Sequence, residues 1–278
     1  MPTEVVAAVL LGALLHAIWN AILKKGGNPS LDAATVAAGA ALTAIVLIPF
    51  LPKPAPEVWP YILASTCLQT LYFHLLGAAA KAGDLGLVYP VMRGTAPLLA
   101  AAASSLVMQE HLSNEMLAGI LAISGGVLTL AVDARRGSGR AMAVALLNAC
   151  VIATYSFVDG LGARVMGHAL AYALWISLLP PLPLFLLAAW RRGAPAVRAH
   201  IAGHWLGGVL GGGASIASYA LALWAMTRVP IATVAALRET SILFAVVIGI
   251  VLLGERPSPA RLIAAGTIAL GALTLKLG

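Results

Sequence analysis

The sequence is short of charge. Only 10% of its 278 residues are Asp, Glu, Lys or Arg, against about 25% in a soluble domain, so it lacks the polar surface a water-exposed fold of this size needs. Cysteine is nearly absent. Cys67 and Cys150 both sit inside apolar runs with no CxxC or Cys/His spacing, which excludes a disulfide framework or zinc site and leaves them as small packing residues. No basic leader precedes the first apolar run, which begins at once behind Glu4, so no cleaved signal peptide is expected. The sequence carries no HExxH, no GxSxG, no paired intramembrane aspartates and no nucleotide-binding loop; no catalytic residue, metal ligand or cofactor is expected, and an enzyme is excluded on that ground. The net charge of +7 is scattered over short loops, with no basic helix or cluster of the kind nucleic acid requires. What remains is hydrophobic: 61% of residues and a mean hydropathy of +0.96 indicate a polytopic membrane protein whose solvent is the lipid bilayer.

One stretch organises the chain. Val234 to Phe244 places Arg238 and Glu239 side by side in an apolar tract that runs on to Gly254-Glu255-Arg256. Either charge costs roughly 2.5–3.5 kcal/mol in hydrocarbon, so both should face protein or a wet cavity. The pattern recurs from Tyr89 through Arg93 to Gln109-Glu110-His111, and Arg93 and Glu110 each precede their counterparts, Arg238 and Glu255, by 145 residues. One shared offset implies an internal duplication, with repeats at 1–136 and 137–278.

Ten apolar segments of spanning length can be laid down, at 4–23, 32–51, 59–80, 85–108, 114–132, 140–159, 168–189, 202–226, 231–253 and 259–277. The expected fold is therefore all-α. Five spans per half is odd, so the second repeat must enter the membrane inverted, as in many secondary transporters. Ser30, Ser113 and Ser258 are placed to cap segments two, five and ten, with Pro259 suited to a first helical position. Loops after the odd-numbered segments hold eleven basic residues: Lys24, Lys25, Lys81, Arg135, Arg136, Arg140, Arg191, Arg192, Arg198, Arg256 and Arg261. The other side holds four, Lys53, Arg164, Arg228 and Lys276. The bias predicts odd loops in the cytoplasm and both termini outside.

Polar residues inside the segments define the candidate site. Segment one carries His16, Trp19 and Asn20, with His16 and Asn20 on one helical face; interhelical hydrogen bonding and a cavity wall both explain them. Segment three offers Gln69, Tyr72, Phe73 and His74, the first three on one side. That face suits core packing equally well as an apolar or aromatic ligand. Segment four adds Tyr89 and Arg93, segment six Tyr155, segment nine Arg238 and Glu239. Segment eight has Gly203, Gly207, Gly211, Ser215 and Tyr219 at four-residue steps, a close-packing stripe that gives way to a cavity lining. Asp159, close to a helix end, reads as a solvated carboxylate or a partner of Arg164. Segment two is featureless scaffold, and Pro180-Pro181-Leu182-Pro183 should kink segment seven. Ala122 and Gly126 recur as Thr267 and Gly271 at the 145-residue offset, so segments five and ten should pack together through small residues. At about 1.5 Å per residue, Arg93 and Arg238 should bracket the midplane at opposite ends of a central cavity, with Glu239 turned roughly 100° from Arg238.

The tandem halves resemble the EamA-type branch of the drug/metabolite transporter superfamily. The resemblance is carried by Pro230-Ile231-Ala232, Ala236-Leu237-Arg238-Glu239-Thr240, Phe244, Gly249 and Leu253-Gly254-Glu255-Arg256, and it covers essentially the whole chain. It implies a ten-helix carrier of the cell inner membrane, working by alternating access through a cavity between helices 1, 3 and 4 and helices 6, 8 and 9. The surroundings of Trp19, Asn20, Tyr155 and Asp159 are most similar to bacterial exporters of amino acids and related metabolites. Small multidrug members carry a glutamate in helix 1; here His16 and Asn20 have no acid beside them, which argues against cation/proton antiport. The expected function is export of small metabolites, foremost amino acids with apolar or aromatic side chains. Fixed arginines would fork the carboxylate and aromatic residues would receive the side chain. A polyspecific drug-efflux carrier is the alternative. The expected partners are the small-molecule substrate and the bilayer, with the protein acting as a monomer.

Overall fold

An apolar run in lipid must satisfy its own backbone, so each becomes a helix. The computed structural model describes every residue except 26–28, 83–84, 134–138, 180–185, 187–188, 191 and 254–257. Its helices are α1 (Thr3–Lys25), α2 (Pro29–Leu47), α3 (Trp59–Ala82), α4 (Leu85–Leu106), α5 (Asn114–Thr129), α6 (Gly139–Met166), α7 (Ala169–Leu178), α8 (Ala194–Gly203), α9 (Trp205–Met226), α10 (Ile231–Leu237), α11 (Ser241–Leu253) and α12 (Pro259–Leu277). There is no strand among the described residues. Among the described residues, eight helical stretches are long and apolar enough to cross a membrane. Helix α4 is 22 residues long and carries Pro90 and Pro97 within it. Segment seven is described only as the ten-residue α7; its proline cluster, like Gly254-Glu255-Arg256 and the Ser30 side chain, lies outside the described residues. The caps predicted at Ser113 and Ser258 are present, accepting from Met116 N at 3.2 Å and Arg261 N at 3.3 Å.

Leu42, Ile45, Leu63, Leu121, Leu210, Val251 and Leu270 are all more than half exposed. An outward face of that character suits acyl chains rather than water. Cys67 and Cys150 are exposed free thiols, which corrects the expectation of small packing residues.

Helix contacts come in pairs exchanged by the 145-residue offset. Adding 145 carries α1 into α6 and α3 into α9, and α1 packs on α9 as α3 packs on α6. The α5–α12 seam repeats this residue by residue. A Cβ on Gly126 would stand 2.9 Å from Ile268 Cγ1 and 3.1 Å from the Ala264 carbonyl. One on Gly271 would stand 2.7 Å from Ile123 Cγ1 and 2.9 Å from the Gly119 carbonyl. Ile123 and Ile268, like Gly126 and Gly271, are 145 apart.

The closest approach is between α2 and α9. A Cβ on Gly39 would lie 1.9 Å from the Gly208 carbonyl oxygen, and one on Gly212 would lie 2.2 Å from Ala40 N. The tightest face of α9 is thus Gly208 and Gly212, one position round from the predicted stripe. Within that stripe Gly211 is also close, a Cβ there standing 3.0 Å from Val36 Cγ2, while Gly203, at the end of α8, meets nothing within 4 Å. Backbone cannot yield to a methyl group, so Gly39→Ala must push the two helices apart, at a cost of about 1–3 kcal/mol. A thermal-unfolding scan in detergent should show the loss. Gly77→Ala, where nothing lies within 4 Å, should stay near wild type.

Candidate functional site

Helices α1, α2, α3, α4, α6, α7 and α9, with Arg238, wall a cavity of about 410 Å³, within the usual range for small-molecule sites. The predicted residues His16, Trp19, Asn20, Gln69, Tyr72, Tyr89, Arg93, Tyr155, Ser215, Tyr219 and Arg238 all line it. Glu239 does not. The cavity also takes Ala33, Val36, Ala37 and Ala40 from α2, and Ile176 and Ser177 from α7. Segment two is therefore wall as well as scaffold, a role its alanines do not announce. His74, bonded to the Thr70 carbonyl at 2.9 Å, is exposed and stands outside the lining.

Aromatic rings brace one another around the space. His16 meets Trp19 edge-on at 5.2 Å, and Tyr72 meets Phe73 at 5.0 Å and Tyr155 at 6.1 Å. Asn20 donates to the His16 carbonyl at 2.7 Å, and Trp19 Nε1 is a buried donor without a protein partner among the described residues. Asn148 of α6 ties the wall together, donating to Met92 Sδ at 2.9 Å and to the Tyr72 carbonyl at 3.4 Å.

The two arginines have different fates. Arg93 Nε donates to Glu239 Oε2 at 2.9 Å, and both side chains are about nine-tenths buried. Arg238 has no ion-pair partner among the described residues; its guanidinium carbon lies 4.8 Å over the Tyr219 ring. The backbone explains the split. The helix tightens to a 3₁₀ turn at Arg238–Thr240, so successive side chains diverge by about 120°, Arg238 toward the cavity and Glu239 toward α4. Both arginines and Glu239 line one recess with room for about 10 Å³, no more than a single water. This corrects the expectation of two arginines at opposite ends of the cavity. A helix-depth count omits the ion pair that draws Arg93 to the Arg238–Glu239 turn.

Asp159 is also not where the sequence suggested. It is fully buried, accepting from the Tyr172 hydroxyl at 3.1 Å and from the Tyr219 hydroxyl, with Ser65 of α3 beside it. Gln69 in turn donates to Ser65 Oγ at 2.9 Å. Small residues make the room: a Cβ on Gly162 would fall 2.4 Å from the Tyr172 ring, and one on Gly160 2.7 Å from Ile231 Cδ1. Arg164, the expected partner, turns instead to Glu110 at 2.8 Å and to the carbonyls of Met226 and Val229. Glu110 also accepts from Ser104 at 2.9 Å and from Ile231 N at 3.3 Å. This network joins the end of α4 and the end of α6 to the start of α10.

The site is thus an aromatic-walled cavity with a guanidinium on its lining that has no ion-pair partner among the described residues. Residues 139–277 match the EamA-like transporter family. No curated protein matches the sequence. Among solved structures, one crystal structure has the same fold over 100% of this chain and 98% of its own, with a TM-score of 0.77 at 19% identity.

Proposed function

From the fact that this chain belongs to the EamA-like transporter family, and so is a multi-pass membrane carrier of small molecules, we propose that it exports amino acids with apolar or aromatic side chains. The observation that carries the reading is Arg238, a cation without an ion-pair partner among the described residues, on the wall of an aromatic cavity of about 410 Å³. A guanidinium offers a carboxylate two parallel hydrogen bonds. Trp19, Tyr72, Phe73 and Tyr155 would receive the side chain. Arg93, neutralised by Glu239, shapes the site instead of holding the carboxylate.

The carrier would work by alternating access in the inner membrane, as a monomer built of inverted repeats 1–136 and 137–278. Supporting the repeats are the exchanged α1–α9 and α3–α6 contacts and the reciprocal glycines of the α5–α12 seam, which a two-fold relation between halves would generate. The matched family stretch, which begins at 139, agrees with the boundary. The Glu110–Arg164 contact would belong to one of the two alternating states.

Liposomes holding the purified protein test the substrate. Labelled phenylalanine, tryptophan or leucine should exchange across the membrane and lose label to excess unlabelled phenylalanine. Transport confined to lipophilic cations would overturn the carboxylate reading and identify a drug-efflux carrier.

A further inference from the structure

The acid missing from the first helix has a counterpart on α6. We propose that Asp159 is a proton-binding site of the carrier, and that a carboxylate ligand at Arg238 and a proton at Asp159 promote each other's binding. The second part rests on the ligand reading above; the first does not.

Three carboxylates are buried among the described residues; Asp32 is paired with His200, Glu239 with Arg93, and Asp159 alone of these is ringed by hydroxyls. Glu239 is held by the Arg93 guanidinium at 2.9 Å, a partner that only donates and fixes it as an anion. Asp159, fully buried, is surrounded by hydroxyls: Tyr172 on α7, Tyr219 on α9 and Ser65 on α3. A hydroxyl can donate or accept. The anion is satisfied by the two tyrosine hydroxyls, and the protonated acid by a neighbouring hydroxyl that turns to accept. Ser65, already held by Gln69 at 2.9 Å, keeps a lone pair for that turn. No Lys, Arg or His lies within ion-pair distance of Asp159 among the described residues. Helix α10, which also packs on α6, has no titratable residue, and Arg93 of α4 is engaged by Glu239. On α6 itself Tyr155 is a neighbour, and across the gap is Arg238.

Arg238 makes the link. Its guanidinium lies over the Tyr219 ring at 4.8 Å, and the hydroxyl of that ring donates to Asp159 Oδ2. With the cavity empty, Arg238 is the cation that offsets the Asp159 anion. A ligand carboxylate on Arg238 consumes that charge, and a proton from cavity water, adding to the carboxylate to form the neutral acid, restores the balance. Linkage is reciprocal, so proton and ligand travel together. Export then runs down the substrate's own gradient, and acid outside slows it.

Infrared difference spectra of the protein in nanodiscs, acid minus alkaline buffer, read the site without any ligand. A protonated-carboxyl C=O stretch should appear in wild type and vanish in Asp159→Asn. In Tyr219→Phe, which keeps the carboxyl but removes one hydroxyl, the band should shift in frequency. No titrating band in wild type, or one retained in Asp159→Asn, overturns the proton site. Should Asp159→Asn not fold, an unshifted band in Tyr219→Phe does the same. Phenylalanine added to wild type in weak buffer should take up protons, and its affinity should be at least about fivefold tighter in acid than in alkali. Binding with proton release, or with none, overturns the linkage. Absence of any amino-acid binding overturns the ligand reading alone, and the infrared band still decides Asp159.

Discussion

Arg93→Met should be among the most destabilising single substitutions in this protein, and Arg93→Met with Glu239→Gln should recover most of the loss. Arg93 and Glu239 are joined at 2.9 Å with side-chain exposures of 10% and 6%, and they bridge α4 to the turn ahead of α11. Removing one member leaves the other charged and desolvated, which costs about 3–5 kcal/mol, whereas removing both charges together is often near neutral. At roughly 2–4 °C per kcal/mol for a chain of this size, the single variant should melt on the order of 10 °C lower. Thermal unfolding of wild type, both single variants and the double variant in one detergent completes the cycle. Single variants as stable as wild type would mean that water reaches the pair and that it holds nothing together.

This pair also marks the limit of what the sequence discloses. The helical architecture is legible, because a backbone in lipid has few alternatives and the apolar runs state their own lengths. The cavity lining is legible for a related reason. Polar and aromatic side chains such as Asn20, Gln69, Tyr155 and Tyr219 are expensive in an apolar run, so each announces a wet or partnered environment. What the sequence does not disclose is which partner. Arg93 meets Glu239 146 positions away, and Arg164 passes over nearby Asp159 for Glu110. These choices depend on how the helices cross, not on spacing along the chain. Nor does an alanine-rich helix such as α2 signal that it forms a wall, since alanine costs little in any environment. The 3₁₀ turn at Arg238 is equally silent, although it decides that the arginine faces the cavity and the glutamate does not. Family resemblance pointed to the region of the site, and geometry separates an arginine held in an ion pair, Arg93, from one with no ion-pair partner among the described residues, Arg238.

That separation yields a contrast between two substitutions that preserve charge. Arg238→Lys should lower amino-acid transport by a factor on the order of 10²–10³, with expression and melting temperature near wild type. Lysine keeps the positive charge, so a purely electrostatic role would survive it, but it lacks the planar fork that holds a carboxylate by two parallel bonds. Loss of one charged hydrogen bond is worth about 1.5–3 kcal/mol, and misplacement of the substrate by an ångström adds to it. Stability should hold because the Arg238 side chain has no ion pair to lose among the described residues and makes its ring contact on a partly exposed cavity wall. Arg93→Lys should behave in the opposite way. The ammonium can still reach Glu239, so transport should fall only as far as the fold loosens, and a lower melting temperature should accompany any lost activity. Liposome exchange of labelled phenylalanine, normalised to correctly folded protein, measures both variants. If Arg238→Lys transports normally, the guanidinium is not the carboxylate's anchor. If Arg93→Lys loses transport at full stability, Arg93 touches the substrate despite Glu239, and the division of labour between the two arginines is reversed.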